Sequence, residues 1–592
     1  MRPMFSMRVD RDVPIELRDG VVTYADVYRP AADGRYPVIL QRTPYNKGLI
    51  GLSLSQTDTL RAVERGYAVV IQDVRGRYTS EGDFNPFYQE MNDGYDSVEW
   101  AAAQPWSDGN VGMVGASYVG AVQWLAAVTA PPHLRAIVPI VTASDYYEGW
   151  TYQGGAFEWG FMVSWVPPYL ASEALVNKRF GSSGSEELRR RLIAGLDNMA
   201  TLWNTLPLKD LPLMRELAPY FHDWLGHPSR DEFWRAVSIQ ERYGSVRVPA
   251  LNIGGWYDIF QGGTLRNFVG LRQQGGSKEA REGTQLLIGP WVHSNPTSQA
   301  VGIVDFGTES SQGWTPVHYD IADEHLRFFD YWLKGIANGI DRDARIKLFV
   351  MGENTWRYEN EWPLARTQFT NYYLHSDGHA NSAAGDGTLS PREPGDERPD
   401  HYLYDPNNPV PTMGGQLCCY PTQLPYGAFD QSAVERRADV LVYSTPPLER
   451  DVEVTGPITV NLWAITSAPD TDFTAKLVDL APNGFARNLT DGIIRARYRQ
   501  GTDQPRPISP GEPIQYTIDC WSTSNLFRAG HRILLEISSS NFPRFDRNAN
   551  TGGSIAEETR LLKASQSIFH GRLRPSHLLL PVVPLENGAR LD

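Results

Sequence analysis

Val111-Gly-Met-Val-Gly-Ala-Ser-Tyr-Val-Gly120, continued by Ala121-Val-Gln-Trp-Leu-Ala-Ala127, is the stretch that decides the fold. The apolar run before Ser117 predicts a buried strand. The run after it predicts a helix, and small residues form the turn between them. The same texture repeats outward on both sides. Tyr36-Pro-Val-Ile-Leu-Gln, Tyr67-Ala-Val-Val-Ile-Gln and Leu134-Arg-Ala-Ile-Val-Pro-Ile-Val read as further buried strands. Between them, residues 94–103 set Val98, Trp100 and Ala101 beside Asp93, Asp96 and Glu99, the pattern of an amphipathic helix. Strands alternating with helices predict parallel βαβ units in an open α/β sheet, here spanning residues 1–144.

After Ser144 the texture changes. Residues 145–244 are rich in Trp and Tyr, with helical periods around Glu186–Leu202 and Asp231–Val237 and no convincing strand. Strands resume at Val248-Pro-Ala-Leu-Asn-Ile-Gly-Gly and Gln285-Leu-Leu-Ile-Gly. A gap of about a hundred residues is too long for an ordinary crossover, so it reads as a helical cap inserted into one continuing sheet. The sheet domain resumes over residues 245–352, with a helix at Glu324–Leu333 and a strand at Ile346-Lys-Leu-Phe-Val-Met. Residues 353–592 carry alternating runs such as Ile458-Thr-Val-Asn-Leu-Trp-Ala and Arg532-Ile-Leu-Leu-Glu-Ile-Ser, which predict a β-sandwich of jelly-roll type. His375–Pro399, dense in Gly, Asp, Ser and Pro, reads as an exposed loop. A chain of 592 residues suggests about four domains by length alone. The interrupted sheet and the large sandwich reduce that to three.

Composition narrows the function by exclusion. With 55 basic and 69 acidic residues the net charge is −14, which argues against nucleic acid or an anionic membrane as partner. No run approaches ~18 apolar residues. The first ten residues lack an apolar signal segment. Three cysteines cannot form a disulfide framework, and no Cys/His spacing suits zinc. The expectation is a cytoplasmic protein without a metal, its oligomeric state unspecified by the pattern. Cys418 and Cys419 read as two small buried residues rather than a functional thiol or a vicinal disulfide.

Chemistry is concentrated at strand ends. Gly115-Ala-Ser-Tyr-Val-Gly120 departs from the usual nucleophile elbow, with Val119 where a glycine is common and Gly120 one position later. Alone it could be a glycine-rich turn with a surface serine; the strand before it and helix after it favour a nucleophile lifted above the sheet. A serine needs a base and the base an orienting acid, in the chain order Ser, acid, His. Asp258 follows the strand ending near Ile253, and His293 follows Gln285–Ile288, both at the carboxyl ends where open sheets form their crevices. Singly, Asp258 could be a turn or cap residue and His293 a surface loop residue; in order on successive strand ends they form a triad. Asp73, beside Arg75 and Arg77, reads as a structural or loop-ordering residue, and Asp145 as the start of the cap. An acyl-transfer site also needs oxyanion donors. The main-chain N–H of Tyr118 supplies one. Tyr45, in Arg42-Thr-Pro-Tyr45, is a candidate for the second, against the alternative of a packing aromatic among 28 tyrosines.

Together Arg42-Thr-Pro-Tyr45, Gly115–Gly120, Gly255-Trp-Tyr-Asp258 and Gly289-Pro-Trp-Val-His293 resemble the catalytic blocks of the cocaine esterase group of serine hydrolases. That group is related to X-prolyl dipeptidyl peptidases and α-amino-acid ester hydrolases. The resemblance extends through Asp472-Phe-Thr-Ala-Lys-Leu-Val-Asp and Ser538–Gly553. It implies an α/β-hydrolase domain, a helical cap and a carboxyl-terminal jelly roll, with Tyr45 as second oxyanion donor and no cofactor. It also implies that Gln56 lines the site and that Trp150, Trp165 and Phe260 hold the acyl group. Leu417-Cys418-Cys419 falls where the group's esterase has bulkier side chains, which implies a reshaped pocket. The ester hydrolases that take amino-acyl groups carry acids two and three positions after the triad aspartate; here those positions are Phe260 and Gln261. The related peptidases add an amino-terminal domain, whereas strands begin almost at once in this chain.

The reading is a serine carboxylesterase for small, uncharged acyl groups, aromatic ones included. An amidase or X-prolyl peptidase on the same triad is the nearer alternative. A non-catalytic binding protein using its jelly roll is the remoter one.

Overall fold

The computed structural model describes residues 6–49, 57–177, 185–293, 298–311 and 320–584. Its first sheet has ten strands. They are β1 (Met7–Glu16), β2 (Val22–Pro30), β3 (Tyr36–Thr43), β4 (Ala68–Asp73), β5 (Ser107–Ala116), β6 (Leu134–Ile140), β7 (Leu251–Tyr257), β8 (Gln285–Val292), β9 (Ile346–Val350) and β10 (Thr355–Glu359). The spatial order is β1-β2-β4-β3-β5-β6-β7-β8-β9-β10. From β4 to β9 neighbours run parallel, for example Leu40 against Met113 and Leu287 against Ile253. These strands are buried on both faces, which is why Val/Ile runs without alternation announce them.

The antiparallel edges extend past the sequence reading. β1 and β2 pair antiparallel, with an irregularity between Asp10 and Val13. β1 is mostly exposed and rich in charge, an edge strand protected from further pairing. At the far edge β10 pairs antiparallel with β9 and takes the sheet past the end expected at Gly352. Helices α1 (Glu90–Ala102) and α2 (Tyr118–Ala127) pack together over one face.

Between β6 and β7 lies the helical insertion. Short helices dominate it, but it also contains a two-stranded ribbon, Tyr152–Gln153 against Ala156–Phe157, absent from the expectation. Helix α3 (Trp159–Trp165) runs into a π-helical segment, Val166–Ala171, at Pro167-Pro168. Helix α4 (Gln261–Gln274) follows β7. On the other face α5 (Ile321–Lys334) packs Phe328, Phe329 and Leu333 against the sheet.

The carboxyl-terminal part is β-rich, with eleven paired strands from Gln368–His375 to His577–Val583. The stretch 375–399 is not the exposed loop expected. It contributes a strand, Thr388–Ser390, and buries Ser376, Ala380 and Leu389. Its polar residues are satisfied internally: the Ser376 hydroxyl lies 2.6 and 2.8 Å from the carboxylates of Asp386 and Asp400, and its oxygen accepts from Gly378 and His379 N–H. Polar composition therefore disguised a buried segment.

Arg544 fastens this part to the cap and to the first sheet. Its guanidinium, fully buried, donates to Asp491, to Gln416 and, across the boundary, to Gln153 of the cap at 3.1 Å. Gln416 in turn donates to the Trp256 carbonyl of β7 at 3.3 Å. Among the described residues no helix is long and apolar enough to cross a membrane.

Candidate active site

Ser117 sits between β5 and α2 with φ 61° and ψ −125°, a strained conformation for a residue with a side chain. The turn holds because its surroundings fix it. Ser117 N–H donates to the Ile140 carbonyl at 2.9 Å. The buried Gln123 amide donates to the carbonyls of Gly115 and Val119 and accepts from Val138 N–H. The displaced glycine now has its reason: a Cβ at Gly120 would lie 2.9 Å from Thr142 Cβ, so α2 packs this closely on β6 only without a side chain there. Val119 is buried.

Asp258 lies immediately after β7 and His293 immediately after β8. The structure brings them together with the serine. His293 Nε2 is 3.0 Å from Ser117 Oγ, and His293 Nδ1 is 2.7 Å from Asp258 Oδ1. Asp258 is fully buried and His293 nearly so. The rival acids are engaged elsewhere. Asp73 accepts from Lys47 N–H at 2.7 Å and the Thr79 hydroxyl at 3.1 Å, and burial pushes its carboxyl up to about 6. Asp145 caps the start of the insertion through Tyr147 N–H and Glu148 N–H and pairs with Arg230 at 2.7 Å.

Tyr45 follows β3, and its phenol lies near enough to Ser117 to feel the serine hydroxyl. Its oxygen accepts from Trp165 Nε1–H at 3.0 Å. Burial pushes its phenol well above the usual range, so it remains a protonated donor. Tyr118 opens α2, where a main-chain N–H has no intrahelical acceptor. Its phenol is anchored below: the hydroxyl donates to Glu90 Oε1 at 2.9 Å, and Glu90 Oε2 pairs with Arg42 Nη1 at 2.8 Å. Both partners of that pair are buried. Sequence reasoning missed Glu90 because the predicted helix began at Gly94; an acid in the first turn of a longer α1 is the signal that could have found it.

The aromatic residues converge. Phe260 meets His293 edge-on at 5.0 Å between ring centroids and stacks on Trp150 at 4.1 Å. Trp150 meets Trp165 edge-on at 5.5 Å. Leu417 and Cys418 are buried, and Cys419 is half-buried with φ 86°. The Cys418 carbonyl accepts from the Ser164 hydroxyl at 3.2 Å and the Cys419 carbonyl from the Tyr169 hydroxyl at 3.4 Å, so both adjoin the aromatic wall. The two cysteines are not separate thiols as expected: they form a vicinal disulfide. The positive φ at Cys419 turns its side chain back toward its neighbour, a geometry that a pattern of residue types does not reveal. Cys520 is free and buried. Gln56 lies outside the described residues.

Comparison with known proteins shows the family. Residues 19–295 match the X-Pro dipeptidyl-peptidase (S15 family), and residues 338–579 match the X-Pro dipeptidyl-peptidase C-terminal non-catalytic domain. The chain is 41% identical to cocaine esterase of Rhodococcus sp. (strain MB1 Bresler) over 97% of its own length and 98% of the relative's. Among solved structures it is similar to an aminopeptidase from a marine sediment Thaumarchaeota archaeon, with TM-score 0.78 and 25% identity, covering 98% of this chain and 96% of that one. An α-amino acid ester hydrolase superposes with TM-score 0.77 at 25% identity, covering 98% and 97%.

Proposed function

Because the chain belongs to the X-Pro dipeptidyl-peptidase (S15) family, within its cocaine-esterase-like members, we propose that it is a serine carboxylesterase acting through an acyl-enzyme on Ser117. Ser117 Oγ attacks the ester carbonyl while His293 Nε2 takes its proton. Asp258 holds the Nδ1 tautomer and stabilises the imidazolium as it forms. The tetrahedral oxyanion receives the Tyr118 N–H and the Tyr45 O–H. On collapse His293 returns the proton to the leaving alcohol, and a water activated by the same imidazole then hydrolyses the acyl-enzyme.

The observation that carries this reading is the unbroken chain Ser117 Oγ, His293, Asp258 at 3.0 and 2.7 Å. To the cluster of Trp150, Trp165 and Phe260, apolar, uncharged and packed beside His293 with Cys418 and Cys419 beyond, we assign the acyl group. The compartment belongs to the same proposal: a cytoplasmic location, to be checked by cell fractionation.

A second reading, an amidase or X-prolyl peptidase on the same residues, is favoured by the family description that matches residues 19–295. Against it stand Phe260 and Gln261 just after Asp258, neither able to bind a substrate ammonium by charge. Native protein and Ser117→Ala are to be compared on p-nitrophenyl esters, benzoate esters and X-Pro anilides. Loss of the nucleophile should cost on the order of 10⁶ in kcat. Equal ester turnover by both proteins would sink the mechanism, and anilide cleavage faster than ester cleavage would favour the peptidase.

A further inference from the structure

Tyr45 and Trp165 come from different parts of the fold. Tyr45 follows β3 of the sheet, and Trp165 ends α3 in the cap. A phenol has one proton and two lone pairs. With the Trp165 indole N–H donating into the Tyr45 oxygen, one lone pair is occupied and the single proton remains available to a developing oxyanion. The aim of this proton therefore depends on where the cap holds Trp165.

One buried cation spans the same boundary. Arg77, only 2% exposed, donates through Nε to the Pro44 carbonyl at 3.0 Å. Through Nη1 and Nη2 it donates to the carbonyls of Leu170 and Tyr169 at 3.0 and 3.1 Å. Nη1 also pairs with Glu173 at 2.8 Å. Pro44 is the residue before Tyr45, while Tyr169 and Leu170 lie about one turn beyond Trp165. The Tyr169 ring meets the Tyr45 ring edge-on at 6.3 Å. Only a planar fork can reach carbonyls on both sides at once; an ammonium on a flexible stem cannot.

We propose that the cap completes the oxyanion hole: Trp165 is a positioning residue that aims the Tyr45 proton, and Arg77 is the clasp that keeps the two in register. The inference rests on the reading of Tyr45 as an oxyanion donor given above. It assigns to Arg77, in the segment Asp73-Val-Arg-Gly-Arg77, a task beyond loop ordering. It also separates the indole nitrogen of Trp165 from the apolar service its ring gives the acyl pocket.

A double-mutant cycle on p-nitrophenyl acetate, whose small acyl group leaves most of the aromatic wall untouched, tests it. Tyr45→Phe alone should lower kcat by about 10²–10³. Trp165→Phe alone should lower kcat about tenfold, the scale of one well-placed hydrogen bond, with KM changed much less. In the Tyr45→Phe background, Trp165→Phe should lower kcat no further. Arg77→Lys should behave like Trp165→Phe and lose its effect in that same background. If Arg77→Lys does not fold, Glu173→Gln, which removes only the carboxylate of the clasp, should give a smaller loss with the same dependence on Tyr45. Full multiplication of the single effects would overturn the proposal, because Trp165 and Arg77 would then act without Tyr45. A Tyr45→Phe enzyme with native kcat would instead overturn the oxyanion reading itself, so the two failures are distinguishable.

Discussion

Replacing Asp258 with asparagine keeps the size and shape of the side chain and removes its charge. The carboxylate is fully buried, with Oδ1 2.7 Å from His293 Nδ1 and Oδ2 without a hydrogen-bond partner among the described residues. An amide can settle there in two ways. With its oxygen toward Nδ1, the imidazole keeps the productive tautomer, but the NH2 then replaces Oδ2 at a fully buried position that makes no hydrogen bond among the described residues. A buried, unpaired amide donor costs about 1–3 kcal/mol. With the NH2 toward Nδ1, the donor is satisfied, and the oxygen takes a position that already tolerates an unpartnered acceptor. The second orientation wins, and it forces the proton onto Nε2, which can no longer accept one from Ser117. The active tautomer then survives only as a minority of about one part in 5–150. Loss of the charged hydrogen bond to the developing imidazolium removes about 1.5–3 kcal/mol more. Together these predict a fall of about 10²–10⁴ in kcat, the scale set by losing a triad carboxylate's charge. The assay is steady-state hydrolysis of p-nitrophenyl acetate, with a melting curve on the same preparation. A normally melting Asp258→Asn enzyme with kcat within threefold of native would refute the assignment of Asp258.

Two further outcomes follow from buried groups. Unfolded without reductant, the chain should expose one reactive thiol, that of Cys520, and three after treatment with a dithiol; three under both conditions would remove the Cys418–Cys419 bond. Burial pushes the Glu158 carboxyl up to about 8, even with the Arg544 guanidinium 4.0 Å away. Between its unfolded value near 4.5 and that figure, the folded chain holds a proton the unfolded chain has released. The stability this group contributes is therefore fully present below the unfolded pKa and lost as pH rises through the folded one. Glu158→Gln should lift Tm over the native protein progressively from pH 5 to pH 8; parallel Tm profiles for the two proteins would contradict this.

The residues most legible in the sequence are those whose position along the chain also fixes their position in space. Ser117, Asp258 and His293 each sit at the carboxyl end of a doubly buried strand, and such strands betray themselves by unbroken apolar runs. β1 escaped notice because an exposed edge strand has no buried face to impose alternation. The strand Thr388–Ser390 was hidden by polar residues that satisfy one another. What sequence could not supply was contact between distant segments. The pairing of Trp165 with Tyr45 and the anchoring of Tyr118 by Glu90 and Arg42 leave no periodic trace. The vicinal disulfide depends on one backbone angle at Cys419.

The buried Arg544 fork bears on how much of this chain is needed for catalysis. Every proposed catalytic group lies within the first 293 residues, and on that count alone a minimal enzyme would end there. The strand that delivers Asp258 is braced by Gln416, and the cap that delivers Trp165 is gripped through Gln153, both held by the same guanidinium. Cutting away the β-rich part would spare the triad's sequence and take away its scaffolding. Heating has the same logic: catalysis should fail when that part undocks, at a temperature where the ten-stranded sheet is still folded.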